Sequence, residues 1–149
     1  DLLASDWLGQ FLNLASNQRF PKMLAKAQKY LTILTAGHYQ GLTFKPKLAV
    51  TTALGNKLAV KYLSRATAEQ LYFALKLAFV TTIADQIQLP ILIDDSFVNF
   101  DDQRTAEIKN LLQEISKDSQ VLIFTARKDL AAKLGQAVLN FRKTEIQDA

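Results

Sequence analysis

Leu89-Pro90-Ile91-Leu92-Ile93-Asp94-Asp95 decides how this chain is read. Five residues here form an almost continuous apolar run, the mark of a strand covered on both faces. Two adjacent carboxylates directly behind such a strand repel each other and lose hydration, so something must offset that cost. Ligands of open α/β sheets bind at the carboxyl ends of strands. A hard cation such as Mg²⁺ prefers oxygen ligands and keeps several waters, so one or two carboxylates suffice for it there. Asp94 and Asp95 therefore have two readings, a cation site or a water-facing turn.

Downstream, Thr105 to Ile115 is amphipathic at helical spacing behind Asp101-Asp102, and Val121-Leu122-Ile123-Phe124 is a second buried strand. Lys128 to Leu134 is a short helix closed by Gly135, and Ala137 to Phe141 reads as a last strand. Strand, helix, strand, helix, strand at this spacing predicts an α/β fold, a parallel sheet with crossover helices.

Upstream, Ala66 to Ile87 is a long helix, apolar on most faces and expected to be buried. Ser64, and Thr67 with Gln70 at capping-box spacing, lie at its start. A helix N-terminus offers unpaired N–H groups and a positive dipole end, which serve either ordinary capping or a phosphate. Gly41 to Tyr62 changes to short β-type runs punctuated by Pro46 and Gly55-Asn56, which predicts a small antiparallel meander. Residues 2–17 and 20–35 read as two helices, the second closed by Gly37.

The chain has 149 residues, 49% hydrophobic and 21% charged, with no Cys and one His, His38. That is enough for one domain with a core, and it leaves no disulfide, thiolate zinc site or cysteine nucleophile. The longest apolar stretch, Leu71 to Ala84, is broken by Lys76 and falls short of the roughly 20 residues a membrane span needs. No secretory leader opens the sequence, so a soluble, cytoplasmic protein without membrane contact is expected. The first residue is Asp1 rather than Met, so a longer parent protein is also expected.

Charge is uneven. Arg19 to Arg65 contains nine Lys/Arg and no Asp or Glu. Lys22, Lys26 and Lys29 form one stripe of the second helix, either a solvated face or candidate contacts to DNA phosphates.

In combination, these segments resemble a known family. Leu63 to Gln70, then Leu92-Ile93-Asp94-Asp95-Ser96-Phe97-Val98-Asn99-Phe100-Asp101, then Phe124-Thr125 resemble the C-terminal lobe of ABC-type, SMC-like coiled-coil ATPase heads, and most nearly the bacterial YhaN-like proteins. In that family an LSxGTxxQ-type signature motif precedes a long helix. A strand ending LDDPFVNFD supplies the Walker B and D-loop segments, and a strand ending FTCH supplies a switch histidine.

The resemblance implies that Ser64, with Arg65, Ala66, Thr67 and Gln70, meets ATP bound on a partner head. It implies that Asp94 serves Mg²⁺ and that Asp95 stands where a carboxylate polarises the attacking water. Asn99, Phe100 and Asp101 would lie between two heads. Residues 1–18 would be the foot of a coiled coil or a leading helix, and 19–149 the C-terminal lobe. Three positions depart from the pattern: Asp95 where many relatives have Glu, Ala66 where the loop has glycine, and Arg127 where the switch histidine is expected.

No G-x-x-x-x-G-K-[ST] occurs around any of the five glycines, so the main cradle for ATP phosphates is missing. The resemblance places that loop in an N-terminal lobe reached through a long coiled coil. The expected function is the C-terminal half of an SMC-like ATPase of DNA repair or chromosome maintenance, inactive alone. Its expected cofactors are ATP and Mg²⁺, and its expected partners are that lobe, a second head, DNA and a nuclease subunit. The competing expectation is a non-enzymatic head-like module that binds a partner or nucleic acid.

Overall fold

The computed structural model describes residues 20–94, 100–135 and 139. The expected helix over 2–17, the foot at 1–18 and, apart from residue 139, the last strand over 137–141 lie outside the described residues, as do Asp95 and Asn99.

Helix α1 (Phe20–Leu34) forms where Met23, Ala27, Tyr30, Leu31 and Leu34 recur at helical spacing, and all five are buried. It ends in a Schellman turn: the Gly37 N–H donates to the Thr32 carbonyl and the Ala36 N–H to the Ile33 carbonyl. The first left-handed residue of that turn is Ala36 (φ 50°), one position before the glycine expected to close the helix. Gly37 follows at φ 82°.

Strands β1 (Tyr39–Thr43), β2 (Ala49–Thr52) and β3 (Lys57–Ala59) make the expected antiparallel meander. Val50 and Leu42 point into the core. Gly41 sits at a register shift against β2, where an added Cβ would lie 3.0 Å from Thr51 Cβ. That close approach is why a glycine stands there.

After a 3₁₀ turn (Val60–Tyr62) comes α2 (Arg65–Ile87), as expected in extent. Its burial differs from expectation. Leu71, Ala74, Leu75, Ala78, Thr82 and neighbours are buried, while Val80, Ile83 and Ile87 remain exposed. Among the described residues this apolar helix packs chiefly against α1, with a smaller contact to β4, and leaves its remaining side open.

Strand β4 (Ile91–Asp94) pairs in parallel with β5 (Val121–Phe124) through α3 (Asp102–Ile115), and α4 (Lys128–Leu134) follows. Parallel pairing is as expected, but coverage on both faces is not. Ile91 and Ile93 are buried, whereas Leu92 (64% exposed), Leu122 (39%) and Phe124 (46%) line an open face. A continuous apolar run marks strands destined for two covered faces, and the described residues supply one cover. The core joins α1, the meander, α2, the inner face of β4 and the apolar side of α3 around Leu31, Leu71, Leu75, Ile108 and Leu111. No described helix is long and apolar enough to cross a membrane.

Candidate functional site

The site is built on three segment ends. First, the parallel register sets Asp94 opposite Phe124, so the exposed Asp94 and the Thr125-Ala126-Arg127 turn leave the sheet side by side. This is the carboxyl edge where α/β sheets bind ligands. Asp94 shares the open face with Leu92 and Phe124.

Second, Ser64 is the N-cap of α2. Its Oγ accepts the Thr67 N–H at 3.1 Å and donates to Thr67 Oγ1 at 2.8 Å. The capping box read from Thr67 and Gln70 is therefore displaced by one turn: the cap is Ser64. Thr67 is its N3 partner, so Gln70 is already inside the helix. Gln70 is buried and its Nε2 donates to the Leu34 carbonyl at 2.7 Å, closing the C-terminal end of α1. Arg65 is exposed and pairs with Glu69 at 3.3 Å. Ala66 lies in the first helical turn with no positive φ, so alanine is unstrained where the resembled loop has glycine, and only its Cβ takes up room. The Arg65 and Ala66 N–H groups point out of the helix start without an intrahelical acceptor.

Third, Asp101 is the N-cap of α3, accepting the Arg104 N–H at 2.8 Å and the Arg104 guanidinium at 2.7 Å. Phe100 packs against the core. A cleft of about 490 Å³ connects the second and third ends, with Thr67, Gln70, Asp101, Arg104, His38 and Thr35 in its wall. His38 is exposed in the turn after α1.

Arg127 is held by Asp129, whose carboxylate accepts from Nε at 3.2 Å and from the terminal guanidinium nitrogen. That guanidinium lowers the Asp129 pKa. Sequence reasoning missed Asp129; its signal was the i+2 spacing of opposite charges directly after a strand.

The lysine stripe is engaged within the fold. Lys26 lies 2.6 Å and Lys22 3.6 Å from Asp85 of α2, and Lys29 lies 2.8 Å from Glu114 of α3. Hydrogen bonding from Lys26 lowers the Asp85 pKa, and Lys117 with Lys29 holds Glu114 down at about 2. Glu114 in turn raises the Lys29 pKa. Beside these pairs Tyr30 donates or accepts at Thr81 (3.1 Å), and burial pushes its phenol up.

Among the described residues no three His, Asp or Glu side chains converge to hold a metal by themselves. What the described chain offers a cation is Asp94, at a strand end.

No family model matches the chain. Solved structures do. The SMC head domain from Thermotoga maritima superposes with a TM-score of 0.58 at 16% identity, over 85% of this chain and 45% of that one. A chain from work on ATP-driven dimerisation and DNA-stimulated activation of SMC ATPases gives 0.61 at 17%, over 95% and 84%. An SMC head bound to the C-terminal winged-helix domain of ScpA gives 0.57 at 21%, over 77% and 37%. These likenesses define the class: the chain has the fold of the C-terminal lobe of an SMC-type ATPase head.

In sequence it is a homologue of the uncharacterised protein YhaN of Bacillus subtilis (strain 168), 33% identical over 112 residues. That match takes in 72% of this chain and 12% of YhaN, so the chain spans about an eighth of its relative.

Proposed function

We propose that these residues form the C-terminal half of a composite ATP site in an SMC-like protein of DNA repair or chromosome maintenance. The observation that carries the reading is the β4–β5 register, which sets Asp94 beside the Thr125–Arg127 turn at one sheet edge. Homology to YhaN and the SMC head fold support it. So does the open face of Leu92, Leu122 and Phe124, which an N-terminal lobe carrying the phosphate loop would cover.

The described side chains fit such a site. Asp94 is exposed at the strand end, where its carboxylate would hold Mg²⁺ through water. ATP-bound Mg²⁺ would supply charge neutralisation on the phosphates. Asp95, next along the chain, would orient and polarise the attacking water. Ser64 can keep the Thr67 N–H as donor and redirect its own proton from Thr67 Oγ1 to a γ-phosphate on a second head. The Arg65 and Ala66 N–H groups would join it at the positive end of α2, with Thr67 and Gln70 supporting that turn. Asn99, Phe100 and Asp101 would face the second head. Phosphoryl transfer needs mostly positioning and charge neutralisation, which these groups provide.

The reading makes the 149-residue chain inactive alone, a partner of the phosphate-loop lobe and of a second head. DNA and a nuclease subunit complete the set of partners, in the cytoplasm at the nucleoid.

The test is ATP hydrolysis by the 149 residues alone and by a protein joining them to a phosphate-loop lobe. Hydrolysis is expected in the joined protein only, and Asp95→Asn should lower it roughly 10²–10⁴-fold, the range for loss of a positioned base. Hydrolysis by the 149 residues alone that Asp95→Asn removes would overturn the reading.

A second reading is a head-like interaction module without turnover. The Arg127–Asp129 pair favours it, because a guanidinium cannot accept the hydrogen bond a histidine could. ATP binding without hydrolysis in the joined protein would select this module.

A further inference from the structure

The basic stretch from Arg19 to Arg65 does not act as one surface. Its helical part is spent inside the fold: Lys22 and Lys26 sit on Asp85, and Lys29 on Glu114. Arg65 pairs with Glu69. The meander differs. From Ala36 to Ser64 the sequence holds four lysines and no Asp or Glu. Lys45, Lys47, Lys57 and Lys61 are all exposed, and none of them makes an ion pair with a described residue.

The topology gathers them. The Val60 N–H donates to the Leu48 carbonyl, which ties the 3₁₀ turn carrying Lys61 to the end of the turn carrying Lys47. Lys45 is two residues before Lys47. Lys57 lies opposite Thr51 and alternates with Leu58, which packs against the core, so Lys57 is on the outer face. Lys61 is steadied with its ammonium 4.8 Å from the centre of the Tyr62 ring, an interaction that leaves its charge in place.

We propose that the outer face of the meander, through Lys45, Lys47, Lys57 and Lys61, is a nucleic-acid backbone contact surface, and that the α1 stripe is not. Four ammonium groups, Lys57 on β3 and the others in the turns that flank β2 and β3, have no carboxylate between them in sequence; they repel one another, and a polyanion relieves that repulsion. Lysine is a point charge without the planar fork that reads base edges, so the surface binds phosphates without sequence preference. This assignment does not rest on the ATPase reading, because nucleotide and nucleic acid would meet different residues.

The test is fluorescence-anisotropy binding of a labelled DNA duplex by the 149-residue chain, titrated at several salt concentrations. Four phosphate contacts predict a slope of log K against log salt of about −3.6, a loss of roughly 150-fold between about 50 and 200 mM salt. Replacing the four meander lysines with glutamine should flatten the slope towards zero. Lys22→Gln with Lys26→Gln and Lys29→Gln should leave it unchanged while lowering the melting temperature. Circular dichroism of each variant keeps loss of fold apart from loss of charge.

Absence of salt-dependent binding would overturn the proposal. So would a slope that survives the meander variant, or one lost in the α1 variant with its fold intact. Binding to phosphatidylserine vesicles but not to duplex would also overturn it, assigning the face to a membrane surface instead. ATP binding by the joined protein is measured separately, so either reading can fail without the other.

Discussion

The Gln70 side-chain amide donates to the backbone carbonyl of Leu34 at 2.7 Å, stitching the first turns of α2 to the last turn of α1. The carbonyl is one of the four a helix end leaves without an intrahelical partner. Because Gln70 is buried, water cannot replace it. Gln70→Ala should cost about 1–3 kcal/mol, the penalty for a buried acceptor left unsatisfied, read as a lower urea midpoint at unchanged slope. A loss within error would mean that the carbonyl finds another donor.

Ser64 serves a cap now and a phosphate in the proposed assembly, and two substitutions separate these. Ser64→Ala removes the Thr67 N–H acceptor and should cost about 1 kcal/mol of stability. Ser64→Asp restores the cap and should retain stability, yet it places a negative charge where a γ-phosphate would come. In the joined protein both variants should lose hydrolysis. If Ser64→Asp hydrolyses ATP at the unmodified rate, Ser64 is a cap and nothing more.

The α1 ion pairs predict how the fold responds to acid. Glu114, of ordinary pKa 4.5, is held at about 2 by Lys117 and Lys29. Asp85, of ordinary pKa 3.8, is lowered chiefly by Lys26. A carboxylate whose folded pKa is depressed contributes stability that is fully present above its unfolded value and lost as pH falls through the folded one. The melting temperature should therefore be level from neutral pH down to about 5, then fall between about 4.5 and 2. Glu114→Gln should shrink that fall, and added salt should shrink it too, because these pairs are partly exposed.

Ala36 offers a stabilising change. It occupies the left-handed first position after α1 at φ 50°, where a Cβ crowds the carbonyl. Ala36→Gly should raise stability by about 0.5–1 kcal/mol, net of the glycine's extra freedom in the unfolded chain. A lower melting temperature would show that freedom to be the larger effect.

These residues also show where sequence reading reached and where it stopped. Apolar spacing at 3.6 placed α1 within one residue, and α3 to its last residue though three short at its start, and the runs ending at Asp94 and Phe124 placed the parallel pair, because each of these segments turns an apolar face to the core. Motif order carried the likeness to SMC heads without any distance. Pair partners were out of reach: Asp85 is 59 residues from Lys26, and no local pattern announces a contact of that separation. The displaced cap has a similar origin. Ser64 and Thr67 both match a capping pattern, and only tertiary burial of Gln70 against Leu34 decides between them. Coverage of β4 and β5 failed for the most informative reason: the strands are composed for two covered faces, and only one cover lies in the described chain.

That unmet composition gives the last prediction. Leu92 and Leu122 lie side by side on the open sheet face, 64% and 39% exposed. In the 149-residue chain Leu92→Thr bears on surface already in water, so it should shift stability by no more than about 0.5 kcal/mol. Leu122→Thr should cost little more, since threonine keeps strand preference. In the joined protein the same leucines would be enclosed by the phosphate-loop lobe, and burying a leucine fully is worth about 1.5–3 kcal/mol. Urea midpoints of both variants in both contexts make the comparison. A larger cost in the joined protein locates the second lobe on this face, and equal costs place it elsewhere. The exposed Asp94 stands on the same face as these leucines, so a lobe docked over them would carry its phosphate loop towards the carboxyl edge where the proposed chemistry lies.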